Sequence, residues 1–165
     1  MNLSNRLFVV AAAVSLAAIG TSAIAQTPVT HKSRCVHVGS APPEPLGDRA
    51  GHALQVSTDS CRTEGGAMDG GVMTSTNIYE WDGAKAVVLT GGGVSRKPGA
   101  TAVHEVTEAT ITLVMTDGKV TGFTSAGKGV IKLATGSAAS MNGKTYSYTA
   151  RPTSPVEFVI ESTFD

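Results

Sequence analysis

The sequence predicts an all-β chain folded as a single antiparallel β-barrel of about eight or more strands. Three observations carry that expectation. Apolar and polar residues alternate with a period of two along much of the chain beyond residue 52, as they do in strands buried on one side. Four dipeptides suited to hairpin turns punctuate it: Asp69-Gly70, Asp82-Gly83, Asp117-Gly118 and Asn142-Gly143. No segment keeps helical spacing long enough to form an amphipathic helix.

The first 25 residues read as a cleaved signal peptide. Arg6 is their one charge, and Leu7–Ile19 is an apolar run of 13 residues, short of the ~20 that a spanning helix requires. Ala23-Ile24-Ala25 is an A-x-A cleavage site, which places the start of the mature chain at Gln26. No further stretch approaches membrane length, and no Asn-x-Ser/Thr sequon follows residue 25. The expected product is therefore exported, periplasmic or secreted, and bacterial in character.

Export gives Cys35 and Cys61 a redox context. Two cysteines in an oxidising compartment predict a disulfide, and closing 26 positions of chain stabilises the fold by about 3.5 kcal/mol. The spacing His31-x-x-x-Cys35-x-His37 offers a metal alternative, but zinc needs a fourth fixed ligand or a water beside three, so no metal is expected.

Residues 26–33 read as a polar leader, and 34–165 as the barrel domain. Residues 39–51, with Pro42, Pro43 and Pro45, read as an irregular loop. Candidate strands are 34–38, 53–62, 72–81, 84–95, 101–106, 109–116, 119–125, 128–134, 144–150 and 156–163, with a helical turn at 137–141. Ala109, Ile111, Leu113 and Met115 share one face of their strand, Val156, Phe158, Ile160 and Phe164 one face of the last, and Tyr146 and Tyr148 one face of the strand before it. So many short strands must hide their edges, in a closed barrel or a two-layer β-sandwich. Sequential hairpins and the in-strand glycines Gly91, Gly92, Gly93, Gly122 and Gly129 favour the barrel, with the sandwich as the alternative.

Motifs for chemistry are missing. The triple glycine Gly91–Gly93 is followed by Pro98 and Gly99 rather than the lysine, hydroxyl residue and helix of a phosphate loop. His104-Glu105-Val106-Thr107-Glu108 has a glutamate where a zinc protease needs its second histidine. There is no Gly-x-Ser-x-Gly elbow. With 13 Lys+Arg against 13 Asp+Glu and no basic stripe, nucleic-acid binding has no basis. No catalytic residue, cofactor or metal ligand is assigned.

The inside of the barrel remains. Asn77, Tyr79 and Trp81 share a strand face, aromatic surface beside a polar handle, and His104 shares one with Ala102 and Val106. With Tyr146 and Tyr148 these are the expected lining of a site for a small apolar or amphipathic ligand. The alternatives are a barrel-type cyclase or isomerase, and a solidly packed structural or protein-interaction domain, since an eight-stranded barrel has room for packing or for one small ligand. In architecture the pattern resembles lipocalin-like, avidin-like and allene-oxide-cyclase-like domains. The lipocalin Gly-x-Trp is absent, Trp81 being preceded by Tyr79 and Glu80, so the resemblance implies the fold and carries over no site residue.

Overall fold

Residues 29–165 are described in a computed structural model; the expected signal segment, its cleavage point and residues 26–28 lie outside them. Nine strands follow in order: β1 (Val29–Ser40), β2 (Glu44–Pro45), β3 (His52–Glu64), β4 (Val72–Asp82), β5 (Lys85–Lys97), β6 (Ala100–Thr116), β7 (Lys119–Gly136), β8 (Thr145–Pro152) and β9 (Glu157–Phe164). From β3 to β9 each strand pairs antiparallel with the next. β1 then pairs with both β3 and β9, which closes an eight-stranded barrel and leaves β2 as an extra strand on β3. The sandwich alternative does not hold, because every strand belongs to one closed sheet.

The turns explain the hairpins. Asp117 (φ 51°) and Gly118 (φ 74°) both take left-handed backbone, the type I′ geometry that suits the twist of the flanking strands. At β4–β5 the loop is one residue later than expected. Asp82 pairs with Lys85, so Gly83 and Ala84 form the turn, with positive φ at Gly83 alone, as in type II′.

Four boundaries differ from the sequence reading. Residues 29–33 are strand, not leader: β1 is bonded along both edges, and its inward polar residues conceal the alternation. The stretches 101–106 and 109–116 are one strand, β6. A register shift between Val106 and Glu108 moves the inward phase by one residue, which makes one strand read as two. The stretches 119–125 and 128–134 likewise join as β7. Within 39–51, Glu44 and Pro45 pair with Leu54 and Ala53, continuing the line of β1 along β3.

One end of the barrel is capped by two 3-10 turns, Gly66–Met68 between β3 and β4 and Ala139–Met141 between β7 and β8. Met68 and Met141 close over Ala102, Ile131 and Tyr146 there. At the far end Trp81 packs with Ala53 and Ala86 beside half-buried Ile111 and Leu113. Between them Cys35 and Cys61, direct register partners on β1 and β3, form the disulfide and pack on Phe158 and Ala150. Among the described residues no helix is long and apolar enough to cross a membrane.

Candidate functional site

The inward face of the barrel carries many small residues. Ser57, Ser75, Ser95 and Ala102 are buried there, and Gly91 and Gly93 stand opposite Asn77 and Ser75 on the neighbouring strand. They leave a cavity of about 330 Å³ along the barrel axis, within the range of small-molecule sites. The 3-10 turns cover one end with Met68 and Met141, and the lining runs from there to Trp81, Gln55 and Ser40.

All six expected site residues line this cavity. Tyr79 and Trp81 come from β4 and Tyr146 and Tyr148 from β8, strands four steps apart in either direction around the barrel, so the two aromatic pairs stand on opposite walls. His104 projects from β6 midway between them and meets Tyr146 edge-on, ring centroids 6.3 Å apart. Trp81 is fixed by its Nε1–H donating to Gln55 Oε1 at 2.9 Å.

The tyrosines and His104 carry no charge at neutral pH. Burial raises the Tyr148 phenol to about 12 and pushes those of Tyr79 and Tyr146 up as well, so all three stay protonated and able to donate. Burial lowers His104 to about 4, so its imidazole is neutral at physiological pH. Asn77 is buried, and its Oδ1 has no hydrogen-bond partner among the described residues. An unpaired buried carbonyl of this kind costs about 1–3 kcal/mol.

The structure adds residues that the sequence reading did not select. His31, His37 and Asp59 also line the cavity. His37 Nδ1 lies 2.6 Å from Asp59 Oδ1, and Ser57 Oγ donates to the same oxygen at 3.3 Å. The signal for them was available in the two cysteines. If Cys35 and Cys61 point inward, period two puts His31, Ser33 and His37 on the same face of β1, and Ser57, Asp59 and Thr63 on the same face of β3. On the outer rim His52 Nε2 and Glu80 Oε1 share a hydrogen bond of 2.8 Å.

Compared with known proteins, the chain matches no family model, no curated protein and no solved structure. The site is therefore read from its own geometry.

Proposed function

We propose that this is an exported binding protein whose barrel takes up one small molecule with an apolar or aromatic body. The single observation that carries the reading is the cavity of about 330 Å³ held open between two facing aromatic pairs. Small inward side chains support it, because an interior built for packing alone fills its space with larger ones. The disulfide agrees with an oxidising, exported setting.

Trp81 is the chain's one tryptophan and lines the cavity, so its emission reports occupancy. Titration with a panel of lipids and aromatic metabolites is expected to shift or quench that emission. Native mass spectrometry of protein from its own host is expected to show a retained adduct, on a chain that begins at Gln26. Silence of Trp81 toward every compound, with no adduct, would overturn the reading. Recovery of a chemically altered compound would point to the cyclase or isomerase alternative.

A further inference from the structure

His37 and Asp59 stand inside the barrel for no evident structural reason. They are register partners on β1 and β3, one inward step along from Cys35 and Cys61. The disulfide already ties these two strands together. Asp59 is 6% exposed, and a carboxylate so placed costs several kcal/mol unless paired, whereas an apolar pair would hold the strands without that cost.

The pair nevertheless has a defined polarity. An ionised carboxylate only accepts hydrogen bonds, so a neutral imidazole that bonds it carries its proton on Nδ1, donated to Asp59. That leaves the lone pair on Nε2, for which no hydrogen-bond partner exists among the described residues. Phe158 stacks on the ring at 4.8 Å and holds its plane. The His37 side chain keeps 35% of its surface accessible, and it lines the cavity. This acceptor borders a space walled otherwise by aromatic, aliphatic and small residues, with His31, Gln55, Asn77 and His104 as its other larger polar side chains. Among the described residues no lysine or arginine lines that space.

We propose that His37, oriented by Asp59, is the polar recognition point of the cavity, and that it selects ligands ending in a hydrogen-bond donor, a hydroxyl or an amine, over carboxylates. The proposal rests on the binding function proposed above and names its ligand class. A donor meets Nε2 directly. A carboxylate brings a second negative charge toward Asp59 and finds no cation to receive it.

The experiment is calorimetric titration of the full disulfide-bonded protein at neutral pH. The probes share one naphthalene skeleton and carry a hydroxymethyl, an aminomethyl, a methoxymethyl or a carboxylate group. The hydroxymethyl compound is expected to bind at least about tenfold tighter than the methyl ether and the carboxylate. The aminomethyl compound is likewise expected to bind tighter than the ether and the carboxylate, and weaker binding than the ether overturns the claim for amines. His37→Phe is expected to bring the alcohol down to the ether's affinity while leaving the ether unchanged. In Asp59→Asn the amide can donate to Nδ1 and turn Nε2 into a donor, so the alcohol's advantage should vanish and the ether should gain. The wild-type series needs no variant to fold. A carboxylate that binds tightest, or affinities blind to the end group, overturns this proposal alone. Absence of binding by every probe removes the cavity reading and this one with it.

Discussion

Tyr146 lies across Gly129, its register partner on the adjacent strand, and its phenol fills the space into which a side chain at 129 would grow. Gly127 stands in the same relation to Tyr148 two residues along. Gly127 and Gly129 are thus the seats on which one aromatic wall of the cavity rests, and Gly129 also stands at the register shift opposite Val106.

Gly129→Val is accordingly expected to displace Tyr146 and to destabilise the fold by about 1–3 kcal/mol, the range for overpacking. Urea denaturation measures the loss. A stability equal to wild type would mean that the ring has another place to go.

Reduction of Cys35–Cys61 is expected to cost about 3.5 kcal/mol on the chain-entropy account. Both cysteines are nearly inaccessible, at 1% and 2% exposure, so reduction should be slow until denaturant opens the barrel. In the reduced protein, hydrogen exchange should rise first in 41–51, where only Glu44 and Pro45 are in strand pairing. Uniform exchange along the chain would contradict this.

Stability should peak a little above pH 6.5, because two histidines pull in opposite directions. His104, lowered to about 4 by burial, is neutral in the fold but takes up a proton on unfolding below its ordinary 6.5. Stability therefore falls as pH drops from 6.5 toward 4, by on the order of 3 kcal/mol. His52 is raised, first by its hydrogen bond with Asp48 and next by that with Glu80. Its contribution is complete below 6.5 and is lost as pH climbs through the raised value. His104→Phe should flatten the acid limb and His52→Gln the alkaline one, each read from thermal denaturation across pH 4–9.

Asp117, with φ 51°, holds a backbone conformation that β-branched residues resist. Asp117→Val should cost about 1–2 kcal/mol, and Asp117→Asn close to nothing. Denaturation midpoints of the two variants decide it, and equal midpoints would argue against a type I′ turn.

Much of this was legible in the residues. Alternation in 109–116 and 145–150 located inward faces, and Asp117-Gly118 marked its turn as found. The wall residues Tyr79, Trp81, Tyr146 and Tyr148 followed from parity alone. What parity could not show was a change of phase inside a strand, as between Val106 and Glu108, where one extra residue makes a continuous strand look broken. Nor could it recognise an inner face built of polar groups. His31, Ser33, His37 and Asp59 look like surface residues until the disulfide assigns their side of the sheet. The clasp ties Asp48 and His52, neighbours at the start of β3, to Glu80, 28 positions beyond His52, and that second link leaves no local pattern.

β1 depends on two partners that are made at very different times. Its pairing with β3, and the disulfide within it, can form as soon as residue 64 is available. Its other edge waits for β9, residues 157–164. Until then the growing chain carries an open strand edge, the kind of surface that invites pairing with another molecule. The disulfide joins β1 to β3 across direct register partners, so it secures the edge of β1 whose partner comes first in the chain and leaves the other edge to β9.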